Sequence, residues 1–343
     1  MGGDIDENVP GFSGWHSFRG RRFARLAAEW RIADHLGAWK ARWGIGRMTY
    51  LVPPGLYAIG NPGDRDEVVV TCNYKMTFDL LRRELSGRNL WLLVLETHGI
   101  NVWCAAGKGT FGTEEVIRRV EATGLSDVVS HRRLLLPILG APGVAAHEVR
   151  RKTGFDVRYA ALRAADLPAF LDNGRKTTPE MRELTFSLRE RLVLVPVEIV
   201  MSLKVLAIAS LAAFGLGTVL HHGSVASGLL TVLALLGAML AGTLATPLLL
   251  PWLPGPSFAV KGAVVGLAWA AACWSLGQAS NPLAALGIFL ALPAVSAYYA
   301  LNFTGCTPFT SLSGVKREVR VAIPVMGGAL GCGTLLWIAG SLL

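Results

Sequence analysis

The sequence predicts a doubly wound α/β domain followed by an all-α domain of five transmembrane helices. Three observations carry this. Charge falls away after Pro196, where Glu198, Lys204, Lys261, Lys316, Arg317, Glu318 and Arg320 are the only charged residues up to Leu343. Before that point short apolar runs alternate with amphipathic ones, the pattern of a mostly parallel, Rossmann-like sheet with helices between its strands. After it come five apolar runs of about 20 residues, enough as helix to cross roughly 30 Å of hydrocarbon.

In chain order, residues 1–55 form an N-terminal arm. Trp15, Phe18, Phe23, Trp30, Trp39 and Trp43 stand among many arginines, and Trp30–Leu36 has an amphipathic helical pattern. The arm reads as helical and packed on the domain, or as a membrane-surface or partner-docking segment. Pro53-Pro54-Gly55 punctuates the chain before the domain at 56–195. There Val68–Thr71 is a β-branched strand and Phe78–Leu85 a helix stopped by Gly87. Leu90–Leu95 is a continuous apolar strand, which suits a sheet covered on both faces. Asn101–Ala106 is a short helix, and Glu114–Ala122 a longer one ended by Gly124. Val128–Val129, Leu134–Ile138 and Val157–Tyr159 are further strands; Ala145–Arg151 and Leu167–Leu171 are further helices. The membrane domain at 196–343 has spans near 200–220, 225–246, 257–276, 284–303 and 321–343.

The net charge of +9 sits mostly in the first half and is spread along it. Attraction to a membrane surface explains it more simply than nucleic-acid binding, for which no aromatic–basic motif is present. Lys316, Arg317 and Arg320 lie between the fourth and fifth runs, and basic residues mark the cytoplasmic side. This predicts a multi-pass protein of the inner (cytoplasmic) membrane, with the α/β domain cytoplasmic and the C-terminus outside. The His221-His222 turn reads as solvated. Asp4, Asp6 and Glu7 leave no signal peptide at the start. Cys72, Cys104, Cys273, Cys306 and Cys332 show no paired spacing, so neither a disulfide framework nor an iron–sulfur cluster is expected in this chain.

Residues Asn101-Val102-Trp103-Cys104-Ala105-Ala106-Gly107-Lys108 carry the sharpest chemical signal. Asn101 is a good N-cap. Cys104 then falls at the third helical position, where the helix dipole favours thiolate over thiol. Ala105, Ala106 and Gly107 leave room for a large flat ligand, so the platform suits axial ligation of a bulky metal cofactor. The plainer reading, a small buried hydrophobe, stands beside it. Gly107-Lys108-Gly109-Thr110 is not a phosphate loop, because Val102 and Gly109 occupy positions that need glycine and a hydroxyl residue. Thr71-Cys72-Asn73 and Thr97-His98-Gly99 both lie just past strand ends, where such sheets bind ligands.

The octapeptide resembles the cap-helix motif of the mercury-methylating corrinoid proteins, the HgcA family. The similarity runs through roughly 60–195 and includes Val70-Thr71-Cys72-Asn73-Tyr74-Lys75, Gly99-Ile100, Gly109-Thr110-Phe111-Gly112-Thr113 and Leu139-Gly140-Ala141-Pro142-Gly143-Val144. A second stretch, Asn302-Phe303-Thr304-Gly305 with Thr307-Pro308-Phe309-Thr310-Ser311-Leu312-Ser313-Gly314-Val315, resembles a segment of the corrinoid iron–sulfur proteins of acetyl-CoA metabolism.

The resemblance implies a cobamide (cobalamin-type corrinoid) whose cobalt passes a methyl group to Hg(II), with Cys104 as lower axial ligand. It implies that Asn101, Val102, Trp103, Cys104, Ala105, Ala106, Gly107 and Lys108 meet the cofactor. Lys108 pairs with a corrin amide or points to solvent, and Trp103 packs behind the helix or in the core. Thr71, Asn73, His98 and Thr110 are candidates for the nucleotide-tail pocket. Cys72 relays mercury or is a buried strand-end thiol. Methyl loss with its electron pair leaves oxidised cobalt, so the resemblance implies a reducing partner, a small HgcB-like ferredoxin with two 4Fe–4S clusters. It also implies a methyl donor linked to methyltetrahydrofolate. Two alternatives stay open: a membrane-tethered methyl carrier of one-carbon metabolism, and a non-enzymatic cobamide-binding or transport protein.

Overall fold

The computed structural model describes residues 7–279, 281–307 and 310–343. Asp4, Asp6, Pro308 and Phe309 lie outside the described residues, as does the Cys306 side chain. The chain divides into two compact units after Leu184.

The first unit is built on a seven-stranded mixed sheet: β1 (Phe12–Phe18), β2 (Arg21–Leu26), β3 (Gly55–Ile59), β4 (Val68–Cys72), β5 (Leu90–Leu95), β6 (Arg133–Leu136) and β7 (Asp156–Tyr159), in the order β1-β2-β3-β5-β4-β6-β7. Strands β5, β4, β6 and β7 are parallel, and β3 runs antiparallel to β5. Every residue of β4 and β5 is buried. Val68, Val70 and Cys72 face one core, and Val69 with Leu90, Leu92 and Val94 faces the other. The first core is closed by Val116, Ile117 and Val120 of α4 (Thr113–Ala122) and Val149 of α6 (Ala146–Thr153). The second is closed by Phe78 and Leu81 of α2 (Lys75–Glu84) and Phe170 of α7 (Leu167–Asp172). Helices on both faces make the sheet doubly wound, as its apolar strands require.

The chain leaves β4 through α2 to β5 on one side, then returns through α3 (Val102–Lys108), α4 and α5 (Leu125–Val128) to β6 on the other. That reversal opens a crevice at the carboxyl ends of β4 and β6.

Several elements differ from the sequence reading. Residues 12–26 are a hairpin that extends the sheet, not part of a helical arm. Its turn, Arg19-Gly20, has both φ angles positive, 48° and 73°, which matches the twist of paired strands. Phe18 and Phe23 pack on Trp91 at 5.8 and 4.8 Å between ring centres. Helix α1 spans Ile32–Arg42, further along the chain than Trp30–Leu36. Val128–Val129 is not a strand, because Val128 closes α5. Strand β6 stops at Leu136, ahead of Pro137, which lacks the N–H to continue a ladder.

The second unit holds α8 (Leu188–Leu192), α9 (Val195–Leu220), α10 (Val225–Leu240), α11 (Thr246–Leu249), α12 (Phe258–Ser275), α13 (Pro282–Leu301) and α14 (Leu312–Leu342). Its apolar segments Leu188–Leu220, Val225–Trp252, Phe258–Ser275, Pro282–Gly305 and Ser313–Leu342 are five helices long and apolar enough to cross a membrane. Close packing uses small residues: a Cβ on Gly262 or Gly266 would fall 2.5 to 2.6 Å from α13 atoms. Lys316, Arg317 and Arg320 are not in a loop; they sit in the first turns of α14. Between them Glu318 accepts from Ala259 N at 2.9 Å and Ser257 Oγ at 2.8 Å, which caps α12.

Candidate functional site at the carboxyl edge of the sheet

Helix α3 starts where β5 ends. The Asn101 side chain accepts from Cys104 N at 3.0 Å, so the cap holds the cysteine's own backbone. Cys104 is exposed. The helix ends at Gly109, whose φ of +82° a side chain would strain. A Cβ on Gly107 would meet nothing within 4 Å, so the outer surface beside Cys104 is open. The inner surface is tight. Val102, Ala105 and Ala106 are buried against the 3-10 segment Ile138–Gly143 and Phe111. A Cβ on Gly143 would lie 2.2 Å from Phe111 O and 3.1 Å from Ala106 Cα, and one on Gly140 2.5 Å from the Phe111 ring. The Leu139–Val144 motif is therefore a backing for α3, a role that spacing alone does not reveal.

The turn before α3 is held from β4. Buried Asn73 donates from Nδ2 to Glu96 Oε1 at 2.7 Å. Its Oδ1 accepts from Thr97 N at 3.1 Å, Thr97 Oγ1 at 2.9 Å and Gly99 N at 3.0 Å. Thr97 Oγ1 shares its one hydrogen between Asn73 Oδ1 and Ile100 O, the latter at 2.8 Å, and Glu96 N donates to Glu115 of α4 at 2.7 Å. Asn73 thus serves the turn. His98 is exposed in the left-handed region, φ 56°, with its ring nitrogen 3.8 Å from Glu96.

Beneath α3, at the switch point of the sheet, lies a cavity of about 280 Å³. Thr71, Asn101, Val102 and Trp103 line one side; Leu136, Pro137, Leu139, Ala161 and Leu162 line another. The lining is apolar except for a few groups. Among them Thr71 Oγ1 is buried with no hydrogen-bond partner among the described residues. A native buried hydroxyl without a partner calls for a water or a ligand.

The sequence-predicted residues therefore separate. Asn101, Val102, Trp103 and Thr71 converge on the cavity, and Cys104, Gly107 and Lys108 face outward. Thr110 bonds back to Ala105 O at 3.4 Å. Cys72 is fully buried; burial pushes its thiol up, against the pull of the Thr77 hydroxyl. A group so enclosed is a strand-end packing residue. Among the described residues no cluster of three or more potential metal-ligating His, Cys, Asp or Glu side chains occurs.

A second polar construction, unseen from the sequence, anchors α2 beside this edge. Lys75 Nζ lies 2.6 Å from Asp34 and 2.5 Å from Asp79, and Arg82 lies 2.7 Å from Asp34 and 2.9 Å from Asp79. Arg82 also donates to Ala27 O and Glu29 O. Burial acts to raise the Asp34 carboxyl, but the bonds from Lys75 and the Arg31 N–H outweigh it and hold the group below its ordinary value.

Residues 46–169 match the family described as CO dehydrogenase/acetyl-CoA synthase delta subunit. The chain is similar to the acetyl-CoA decarbonylase/synthase complex subunit gamma of Methanopyrus kandleri, 35% identical over 123 residues, which is 35% of this chain and 26% of the relative. The corresponding subunits of Methanocaldococcus jannaschii and Archaeoglobus fulgidus are 33% and 32% identical over 129 and 128 residues, each 37% of this chain and 26% and 27% of the relative. The match thus spans about a quarter of these relatives' length. The family match covers β3 to the start of α7 with the cavity and α3, and stops before the apolar helices.

Proposed function

We propose that this chain is a membrane-anchored corrinoid protein that transfers a methyl group to inorganic mercury, with Cys104 as the thiolate that would hold its cobalt. The observation that carries this is the exposure of Cys104 on a capped helix whose outer face is open and whose inner face is locked. The residues fit a cobalt corrinoid. A soft sulfur donor stands on a small-residue platform, and the cavity with its orphaned Thr71 hydroxyl is suited to a nucleotide tail. When bound, the corrinoid would supply a cobalt able to carry a methyl group, and a soft sulfur donor such as Cys104 would suit its transfer to a soft electrophile such as Hg(II).

The chain's own residues do the positioning. Asn101 fixes the backbone of Cys104, Gly143 and Phe111 stop α3 from retreating, and Asn73 holds the turn that feeds it. Lys108, exposed at the last turn, offers a donor to a cofactor amide. Among the described residues no set of side chains gathers to hold a metal cluster, which supports a separate ferredoxin with two four-iron clusters as the reductant; the methyl donor is linked to methyltetrahydrofolate. Five helices long and apolar enough to cross a membrane support a location in the inner membrane. The exposed Lys316, Arg317 and Arg320 at the start of α14 support an orientation with that end and the α/β domain cytoplasmic and the C-terminus outside, by the bias of basic residues toward the cytoplasmic side.

A second reading is favoured by the relatives, which are subunits of an acetyl-CoA decarbonylase/synthase complex. In it the same site is a tethered methyl carrier of one-carbon metabolism. One experiment separates them. Purified chain loaded with methylcobalamin is offered Hg(II) or tetrahydrofolate. Methylmercury, at most about one per cofactor until a reduced ferredoxin and a methyl donor are added, supports the first reading. Methyltetrahydrofolate without methylmercury supports the second, and binding without transfer leaves a cobamide-binding protein. In Cys104→Ala, methylmercury formation should vanish and the visible spectrum of the bound corrinoid should shift; an unchanged spectrum removes Cys104 from the cobalt.

A further inference from the structure

The N-terminal half of the first unit carries an apolar surface that the proposed site does not use. On α1, Ile32, Leu36, Trp39 and Trp43 recur at helical spacing and form one stripe. The stripe points outward: Ile32 is 79% exposed and Trp39 65%. The opposite face is the packed one, with Asp34, Ala38 and Ala41 buried and Asp34 held by Lys75 and Arg82. The helix cannot roll to hide the stripe without breaking that cluster. Ile45, Met48 and Leu51 continue the exposed apolar surface past the helix. A contiguous patch of this kind marks an interaction site.

Its chemistry selects the partner. The segment 31–47 carries Arg31, Lys40, Arg42 and Arg47, and its one acid, Asp34, is buried and paired. Tryptophan beside basic residues is the composition of surfaces that lie at the level of lipid headgroups. The same chain holds five helices long and apolar enough to cross a membrane, which makes a lipid surface the partner that this composition fits. The patch also adjoins the site. A Cβ on Gly99 would lie 3.3 Å from Met48 O and 3.6 Å from the Leu51 side chain, and Gly99 leads through Ile100 into α3.

We propose that the outer face of α1 and the turn after it rests on an anionic lipid surface, with Trp39 and Trp43 in the headgroup layer. This rests on the reading of the apolar helices as membrane spans. That reading has its own readout, since full chain that spans a membrane stays in proteoliposomes through alkaline extraction whatever α1 does.

The test is hydrogen exchange of the full chain in nanodiscs of phosphatidylglycerol mixed with phosphatidylcholine, compared with phosphatidylcholine alone. Peptides covering 32–48 should exchange about tenfold more slowly in the anionic discs, the scale of a local opening made harder by about 1.4 kcal/mol. The double variant Leu36→Glu/Trp39→Glu changes only exposed side chains and should lose that protection, while peptides from β4 and β5 keep theirs. Lipids brominated near the headgroup should quench wild-type fluorescence more than that of Trp39→Phe. Equal exchange in both lipids overturns the proposal. So does protection with no difference in quenching between wild type and Trp39→Phe, which assigns the face to a protein surface instead.

Discussion

Around the N-terminus of α2, Asp34, Lys75, Asp79 and Arg82 neutralise one another in a buried cluster, and Asn73 next to it spends its side chain on the 96–99 turn. Helix α3, on the same edge of the sheet, is built the other way. Its inner face is locked by Phe111 and Gly143, yet Cys104 is left exposed and the Thr71 hydroxyl below it has no hydrogen-bond partner among the described residues. The first region uses its polar groups to hold backbone in place. The second leaves polar groups for something outside the chain. An exposed thiol is useful for ligation only if its backbone does not drift, so the closed region is what allows the open one to stay open.

Breaking the closed region should cost the most stability. Asp34→Ala removes a partner from both Lys75 and Arg82 and leaves cations buried, at about 3–5 kcal/mol. A chemical denaturation midpoint reads this directly. The wild-type cluster also has a pH signature. The folded Asp34 carboxyl is held below its unfolded value, so its stabilisation is full above the ordinary carboxylate range and is lost as pH falls through the folded value. Burial acts to lower the Lys75 ammonium, but Asp34 and Asp79 outweigh it and hold it above its ordinary value. Its stabilisation is full below the unfolded lysine value and is lost as pH rises through the folded one. Stability should fall at both extremes, and Asp34→Ala should flatten the acid limb. An acid limb that survives the substitution would assign the titration elsewhere.

Ala105→Pro attacks the open region without touching its thiol. Ala105 N donates to Asn101 O at 2.9 Å, and proline removes that bond and clashes with the preceding turn, at about 3 kcal/mol. Corrinoid binding should be lost although Cys104 remains. Full binding by this variant would show that helix placement of the thiol is unimportant. Asn73→Leu tests the link between the regions. It leaves the buried N–H groups of Thr97 and Gly99 unpaired, at about 2 kcal/mol. Its effect on corrinoid affinity should exceed that of Thr110→Ala, whose hydroxyl makes only one long bond.

What can be read from the sequence divides along the same line. Strands β4 and β5 and helices α2 and α4 are legible, because unbroken apolar runs and amphipathic runs ended by Gly87 and Gly124 are local signals. The cap at Asn101 and the place of Cys104 in the first turn are legible for the same reason. The β1–β2 hairpin is not, because arginines alternating with aromatics suit an amphipathic helix as well as a half-exposed strand pair. Strand β3 hides behind Pro53-Pro54-Gly55, which reads as a boundary though Gly55 opens a fully buried strand. Asn73 and His98 fall at the right edge but serve the turn or solvent, since which way a strand-end side chain reaches depends on the neighbouring strand. The charge cluster joins residues more than forty positions apart, beyond any local pattern.

The finest test concerns the cap itself. Asn101→Ala removes the single side-chain bond that holds Cys104 N, while the rest of α3 keeps its packing against Phe111 and Gly143. Loss of an N-cap costs about 1 kcal/mol. Because α3 is only Val102–Lys108, that loss falls on a helix with few other bonds to share it. If the thiol's placement matters for ligation, the cost should appear in corrinoid affinity as about a fivefold weakening, with a global unfolding midpoint close to wild type. Asn101→Ser keeps a capping oxygen and should recover most of the affinity. Were both variants to bind as wild type does, Cys104 would be held by the inner packing alone, and the difference between the closed and open regions would not extend to the cap.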